Sequence, residues 1–206
     1  MSVEFETTES NPVPDYVFDA EGGSSSWRSK IVELWRYRYL LNNLVIRDLK
    51  ARYKNSVFGV LWSLLNPLAM MLVFTLLFSV MGNDDTRQYP VFVLVGLIPW
   101  MFFSGSLTSG TTSVTSNASL VKKVYFPRDL LPLSSLLSNL VNFGIAFIVL
   151  VAFLYAFGIG LTVHALWVPV ILATQLIFTL GLVLFLGSLT VFYKDVLMIL
   201  DVVVLA

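Results

Sequence analysis

The 206-residue sequence contains no cysteine and a single histidine, His164. Without thiols it can form no disulfide scaffold, and one imidazole cannot build a protein zinc site. Charged residues make up only 13% of the chain, about half the share of a typical soluble domain. So few charges cannot cover the surface of a soluble domain of this length, and they exclude a disordered chain and a nucleic-acid binder. The remaining composition, with 57% hydrophobic residues, indicates an integral membrane protein.

Three long runs without Asp, Glu, Lys or Arg define the membrane-spanning segments: 57–81, 91–121 and 130–193. A helix needs about 20 mainly apolar residues to cross a bilayer, so the longest run holds two spans. We predict an all-α transmembrane helical bundle with four complete spans and the start of a fifth. The complete spans are 57–81, 91–113, 131–157 and 166–191. The segment from Val196 to Ala206 is too short to cross, so we expect a fragment of a six-span bundle rather than a re-entrant end.

The lysines and arginines are unevenly distributed around these spans. Alternating topology places twelve on one side: eight before the first span, three at 122–128, and Lys194 after the fourth. The opposite side holds only Arg87. This asymmetry predicts a multi-pass protein of the plasma membrane with a cytoplasmic N-terminus. The first 26 residues have no apolar stretch, so we expect no secretory signal there.

Two segments precede the membrane domain, which we place at 55–206. Residues 1–26 carry six acidic and no basic residues, and their prolines, glycines and serines interrupt any periodicity. We expect a disordered acidic cytoplasmic tail, with a docking segment as the alternative. Residues 27–54 carry eight basic residues and apolar residues at roughly helical spacing, which predicts an amphipathic helix lying in the cytoplasmic interface.

Polar and aromatic residues inside the spans mark candidate contact faces. Polar side chains of the third span, from Ser134 to Asn142, share one helical face and therefore face either a partner helix or a hydrated path. Aromatic residues near Pro99 form either an interface belt or the lining of a sugar path. The small residues of 104–119 permit close helix contact, with hydroxyls bonding to the backbone or across helices. The candidate path-lining residues are Trp62, Asn66, Trp100, Phe102, Phe103, Ser138, Asn139 and Asn142.

Motifs for energy conversion are missing from the sequence. It contains no phosphate-binding G-x-x-x-x-G-K-[ST] loop and no chain of intramembrane carboxylates, so a pump built from it must take its energy from another subunit. The loop at 117–130 is the candidate contact for that subunit, because exposed aromatics beside basic residues suit an interface core with a charged rim. An ordinary basic membrane-flanking loop is the alternative. The candidate coupling residues are Lys122, Lys123, Tyr125, Phe126 and Arg128, with both aromatics expected to be exposed.

Two stretches resemble a known family. Residues 47–68, RDLKARYKNSVFGVLWSLLNPL, resemble the entry to the first membrane helix of type-2 ABC exporter permeases. Residues 117–132, with the core KKVYFPR, resemble the loop between helices two and three of the same family. The nearest group is the polysaccharide and polyol phosphate exporters, which include O-antigen, capsule and teichoic acid permeases. The resemblance covers roughly residues 30–206.

The resemblance implies a homodimer of six-helix permeases with two nucleotide-binding ATPase subunits. ATP hydrolysis in the partner would move a lipid-linked polysaccharide across the bacterial inner membrane, through a channel at the permease dimer interface. It implies that 27–54 is the family's interface helix and that about 117–129 couples to the ATPase. The permease itself would be no enzyme, and we expect no cofactor and no metal site. The basic residues that cluster at the membrane entry are candidates for substrate phosphates or lipid headgroups: Arg47, Lys50, Arg52 and Lys54.

Three other functions are compatible with the composition. An ABC exporter of a lipid or drug would have the same parts, because substrate identity is not readable from these side chains. A membrane-embedded lipid-linked sugar transferase needs carboxylates or histidine near the interface, and Asp129, Asp195 and His164 are a thin set. A non-transporting assembly factor should bind no ATPase.

Overall fold

A computed structural model of the chain describes residues 35–54, 56, 58–80, 89–123, 126–160 and 163–205. The chain divides into two compact units, 1–36 and 37–206, and the description that follows concerns the second. The expected tail at 1–26, the first part of the interface helix at 27–34, and Tyr125 lie outside the described residues.

The described residues form an all-α structure, as predicted. The α-helices are α1 (Arg38–Tyr53), α2 (Trp62–Val80), α3 (Tyr89–Ser116), α4 (Ala118–Lys123), α5 (Leu130–Ala156), α6 (Val168–Phe192) and α7 (Asp195–Leu205). Helices α2, α3, α5 and α6 are long and apolar enough to cross a membrane, which confirms the four predicted spans. Helix α7 corresponds to the predicted start of a fifth span, and α1 is the helix that precedes the first one.

A short turn separates α1 from the first span. The span begins at Trp62 rather than at residue 57, because Gly59–Leu61 forms a 3₁₀ turn. Gly59 has a φ of +50°, a backbone conformation that glycine adopts without steric cost. Its N–H donates to Ser56 Oγ at 3.2 Å, which fixes the turn. Helix α2 then continues through Pro67, the residue of this helix that is buried.

Glycine and proline set the helix boundaries on the opposite side of the bundle. Helix α5 ends in a Schellman motif, in which the Ile159 N–H donates to the Leu154 carbonyl and the Gly158 N–H to the Tyr155 carbonyl. Gly158 has a φ of +72°, as this motif requires. Helix α6 begins with Pro169 in its first turn, where the missing N–H leaves no hydrogen bond unmade.

The core lies between α3 and α5. Leu94, Ile98 and Phe102 of α3 pack with Phe143 and neighbouring apolar residues of α5. The rings of Phe102 and Phe143 meet edge to face at 5.5 Å between centroids. In contrast, most side chains of α2 are exposed, so its surface is left for lipid or for protein outside the described residues.

Helices α3 and α6 approach each other closely through small residues. Gly110 of α3 lies against Val183 of α6: a Cβ on Gly110 would be only 2.5 Å from a Val183 methyl. One turn further along α6, Gly187 faces the backbone of Thr111. Gln175 of α6 donates a hydrogen bond from Nε2 to the carbonyl of Pro99 at 2.9 Å. Close contact through small residues, with a polar bond across the helices, is typical of membrane helix pairs.

One prediction about exposure is wrong. Phe126 was expected to be exposed in the loop before α5, but it is buried, with 8% of its surface accessible. It precedes the turn at Arg128 and Asp129, both of which are exposed. An aromatic ring in a membrane-flanking loop gains free energy by leaving water, and the tight turn allows it to do so.

Candidate functional site

A cavity of about 420 Å³, with mainly apolar walls and several polar groups, lies between α1, α2, α3 and α5. Its hydrogen-bonding groups come mainly from the end of α1 and the middle of α5, with Arg52, Tyr53, Asn139 and Asn142. Its apolar wall includes Trp62, Ile98, Phe102 and Phe143. A cavity that combines a guanidinium, amides and aromatic rings can hold an amphipathic ligand whose head is rich in oxygen.

The middle of α1 lies against α5. Leu44 of α1 is buried. Ser134 Oγ lies 3.4 Å from the Asp48 carboxylate, and Ser138 Oγ lies 3.4 Å from the Val45 carbonyl. Each of these two hydroxyls also donates to a carbonyl of its own helix at the shorter distance of 2.9 Å. The polar face predicted for the third span therefore meets a partner helix at this end.

The last turn of α1 reaches the cavity and meets α5 again. Arg52 Nη1 donates to Asn139 Oδ1 at 3.1 Å, and the Tyr53 hydroxyl donates to Asn142 Oδ1. These two parallel bonds join successive residues of α1 to residues one turn apart on α5. The α5 face that carries these amides therefore contacts α1 and also lines the cavity.

Asn139 is also bonded to α3 and to its own helix. Its Nδ2 donates to Ser109 Oγ at 2.8 Å and to the Ser135 carbonyl at 2.9 Å. Ser109 Oγ in turn donates to the Gly105 carbonyl at 2.7 Å. A continuous chain of donors therefore runs from Arg52 through Asn139 and Ser109 to the α3 backbone, and such chains strengthen cooperatively in a low dielectric.

A second cavity, of about 240 Å³, adjoins this chain on the side of the α3 C-terminus. Asp48, Arg52, Ser109 and Ser138 are among its lining residues. Further hydroxyls in its wall donate to carbonyls of their own helix, which leaves their oxygen lone pairs as acceptors. They belong to Thr112, Ser113 and Ser116. This back-bonding was predicted for the 104–119 run.

The charged side chains at the site differ in whether they have an ion-pair partner. Arg47 pairs with Asp48 at 2.8 Å, which satisfies both side chains. Within the described residues, no carboxylate lies within ion-pair distance of Arg52. Lys50 and Lys54 are exposed. In the same part of the chain, no group of three or more His, Cys, Asp or Glu side chains is arranged to hold a metal ion.

The side-chain amide of Asn142, which lines the larger cavity, has an N–H donor without a hydrogen-bond partner among the described residues. Asn142 accepts from Tyr53, but among the described residues no acceptor is found for its Nδ2, which is inaccessible to solvent. A buried N–H without a partner costs free energy of about 1–3 kcal/mol.

The candidate path-lining residues fall into three places. Five line the larger cavity: Trp62, Asn66, Phe102, Asn139 and Asn142. Ser138 lines the smaller one. Trp100 and Phe103 line neither: their ring centroids lie 5.8 Å apart, and Phe103 stacks on Phe178 of α6. Periodicity explains this separation, since Phe103 directly follows Phe102 and must project from a different side of α3.

The candidate coupling loop is partly helical. Residues 118–123 form α4, which ends with exposed Lys122 and Lys123. Arg128 is exposed in the turn before α5, and Phe126 is buried. The basic side chains are therefore presented outward on a short helix and a turn, with a buried aromatic ring between them.

Sequence reasoning missed two residues of the site. Tyr53 stands in the last turn of the basic segment, but nothing in the sequence showed that α5 would place Asn142 opposite it. Ser109 was one of many hydroxyls in the 104–119 run, and nothing in that run distinguished it. Its role depends on α5 lying opposite, which the sequence of α3 does not contain.

The chain is similar to proteins of known families. A family model described as "ABC-2 type transporter" matches residues 39–206. An O-antigen export system permease protein, RfbA, from Myxococcus xanthus is 40% identical over 163 residues, which are 79% of this chain and 63% of that protein. An RfbA protein from Klebsiella pneumoniae is 37% identical over 76% of this chain and 62% of its own length.

A more distant relative belongs to capsule export. The capsule polysaccharide export inner-membrane protein CtrC from Neisseria meningitidis is 27% identical over 66% of this chain and 50% of its own length. The chain therefore spans about three fifths of the length of the RfbA relatives and half that of CtrC.

Proposed function

Because this chain belongs to the ABC-2 type transporter family, we propose that it is the permease part of an ATP-driven exporter of a lipid-linked polysaccharide. The names of its relatives, O-antigen and capsule polysaccharide export proteins, support this class of cargo. The chain spans only part of those relatives, so the proposal concerns the whole protein to which these residues belong.

The observation that carries the proposal is the larger cavity with Arg52 in its wall. A lipid-linked glycan has a phosphate between an apolar tail and a polar sugar chain. The cavity offers a guanidinium for the phosphate, amides for hydroxyls, and aromatic faces such as Trp62 for sugar C–H groups. Arg52, Lys50 and Lys54 are all exposed. We assign the phosphate to Arg52, because Asn139 holds its guanidinium in the cavity wall, and leave the two lysines to lipid headgroups. Arg47 is already paired with Asp48.

The proposed assembly contains a second copy of the permease and a nucleotide-binding ATPase subunit. The polysaccharide would pass through a channel between the two copies. Helix α4 and the turn at Arg128 would meet the ATPase through Lys122, Lys123 and Arg128. This arrangement requires a cytoplasmic N-terminus, with α1 at the cytoplasmic interface of the inner membrane, as the charge asymmetry predicts.

Co-purification tests the proposal directly. The complete permease is purified in detergent from its own source membranes, and its partners are identified by mass spectrometry. We expect a nucleotide-binding ATPase whose hydrolysis rate rises when lipid-linked glycan extracted from the same cells is added. Replacing Lys122, Lys123 and Arg128 together by Ser should remove most of the bound ATPase, because the charged rim of the contact is lost.

The matched control is Lys194→Ser, which removes an exposed lysine predicted to lie on the same side of the membrane but outside the loop. It should leave the ATPase bound. If the complete permease retains no ATPase, the transport proposal is wrong, and an assembly factor or transferase becomes the better account. If the triple variant binds as well as the unmodified protein, the coupling assignment alone is wrong.

A further inference from the structure

Arg52 lies at the boundary between the two cavities. Its side chain lines both of them. Its partner Asn139, which is 6% exposed, lines the larger cavity, and Ser109, the next member of the chain, lines the smaller one. The three side chains therefore form a wall that both cavities share.

The hydrogen bonds of Asn139 fix the direction of its amide. Ser109 Oγ uses its hydrogen on the Gly105 carbonyl, so it accepts from Asn139 Nδ2, and the Ser135 carbonyl can only accept. With the amide reversed, its N–H groups would face the guanidinium of Arg52, which has no acceptor. The amide oxygen must therefore face Arg52, and it holds the guanidinium in one place.

The partner that holds Arg52 is neutral. An aspartate at 139 would orient the guanidinium equally well but would also neutralise it, whereas an amide oxygen leaves the positive charge in place. Asp48, the nearest acidic residue along α1, is engaged by Arg47 at 2.8 Å. A charge-assisted bond to a phosphate is about twice as strong as one to a neutral oxygen, so an arriving phosphate competes successfully for the guanidinium.

We propose that Asn139 is a positioning residue, which holds the Arg52 guanidinium in place with its charge uncompensated for a phosphate group that enters the larger cavity. The inference rests on the proposed function in taking this phosphate to belong to a lipid-linked cargo. Asn142 lies one turn along α5 in the same cavity wall, where it accepts a hydrogen bond from Tyr53.

Binding of a simple phosphate lipid tests the inference without any ATPase. The complete permease in nanodiscs of phosphatidylcholine is titrated with dodecyl phosphate, and tryptophan fluorescence reports binding through Trp62, which lines the cavity. R52Q should abolish the response. N139D should raise the half-saturating concentration about tenfold without changing the maximal signal, because its carboxylate pairs with Arg52. Dodecyl maltoside, which carries no phosphate, should give no response.

A double-mutant cycle separates positioning from a merely structural role. N139A should weaken binding about threefold, because the guanidinium is no longer held. In an R52K background, whose ammonium lacks the fork held by Asn139, N139A should have no further effect. The matched control is N142A, which removes an amide of the same cavity that does not contact Arg52. Its effect should be the same in both backgrounds. Melting temperatures are measured for every variant, so that loss of folding is not counted as loss of binding.

The outcomes distinguish the two proposals. If R52Q binds dodecyl phosphate normally, the phosphate assignment within the proposed function is wrong. If R52Q abolishes binding but N139D and N139A bind like the unmodified protein, the positioning role of Asn139 is wrong. It is also wrong if N139A has the same effect in the R52K background. A response to dodecyl phosphate but not to inorganic phosphate supports a lipid-linked source, and an equal response to both overturns that source.

Discussion

Arg47 and Arg52 show how two arginines of one helix acquire different chemistry. They are five positions apart on α1, so they project from different sides of the helix. Arg47 meets a carboxylate and loses its net charge locally, whereas Arg52 meets an amide and keeps its charge. Their sequence context, a run of basic residues, is the same. The difference arises from the neighbour that α5 supplies to Arg52.

A substitution of Phe126 gives a test at the scale of single residues. It shows whether this buried ring stabilises the candidate coupling loop, in contrast to the exposed basic residues expected to contact the ATPase. Phe126→Ala should lower the stability of the complete permease by about 3 kcal/mol, since it removes a buried ring. The melting temperature in detergent, followed by tryptophan fluorescence, measures the loss. Lys123→Ala, at an exposed position of the same loop, should leave the melting temperature unchanged. Equal melting temperatures for both variants would contradict the anchoring role.

There is a physical reason why the burial of Phe126 could not be predicted from the sequence. A loop has no helical or strand periodicity, so the pattern does not say which side chain turns inward. The charged neighbours Lys123 and Arg128 indicated a solvated segment, and they are indeed exposed. The ring is nevertheless buried, and the burial of a loop side chain depends on tertiary contacts.

At the scale of the helices, α3 and α6 pack closely because Gly110, at their contact, has no side chain. Gly110 allows Val183 to approach so closely that no Cβ fits between them. Gly187 and Thr111 continue the contact. In a bilayer, close approach of this kind replaces the hydrophobic driving force that holds helices together in water.

Gly110→Ala should therefore destabilise the bundle by about 1–3 kcal/mol, because the new methyl group meets Val183. The melting temperature of the complete permease measures the effect. Gly181→Ala is the control, since a Cβ at Gly181 has no atom within 4 Å. A second substitution, Val183→Ala, should restore much of the stability lost at Gly110. If the Gly110→Ala and Gly181→Ala variants have the same melting temperature, the close contact between Gly110 and Val183 does not determine the stability of this interface.

The existence of the helices followed from the sequence, and their contacts did not. Runs without charge are imposed by the hydrocarbon itself, so the four spans were predictable within a few residues. The start of α2 was less predictable, because a run without charged residues does not reveal that Gly59–Leu61 forms a turn. Docking of α1 on α5 depends on hydrogen bonds between residues more than 80 positions apart, such as Arg52 and Asn139.

Across the whole molecule, the charge asymmetry predicts which loops face the cytoplasm. The sequence has no cysteine, so a single introduced thiol reports its own location without background from these residues. Val163→Cys, at an exposed position between α5 and α6, should react with a membrane-impermeant maleimide added to intact cells. Lys123→Cys should react only after the membrane is permeabilised, because the basic loops stay inside. Labelling of Lys123→Cys in intact cells would reverse the topology and move the coupling loop away from any cytoplasmic ATPase.

The candidate site was predictable in its residue types and not in its assembly. Polar residues are costly in hydrocarbon, so Asn139 and Asn142 were recognisable as functional or contact positions. Aromatic residues are ordinary membrane constituents, so nothing marked Trp100 and Phe103 as lying outside the cavity. Residues on four separate helices share no common signature in the sequence, and the cavity exists only where those helices meet.

The hydrogen bond between Gln175 and the Pro99 carbonyl has a consequence for the order of events during biosynthesis. A glutamine alone in hydrocarbon lacks partners, so α6 becomes stable in the bilayer when its amide finds α3. The ribosome makes α3 first, and the acceptor is therefore already in the membrane when Gln175 emerges. Chain direction thus supplies Gln175 with its acceptor as soon as α6 enters the bilayer, whereas a permuted gene that placed α6 before α3 would leave the amide unpaired until α3 is made.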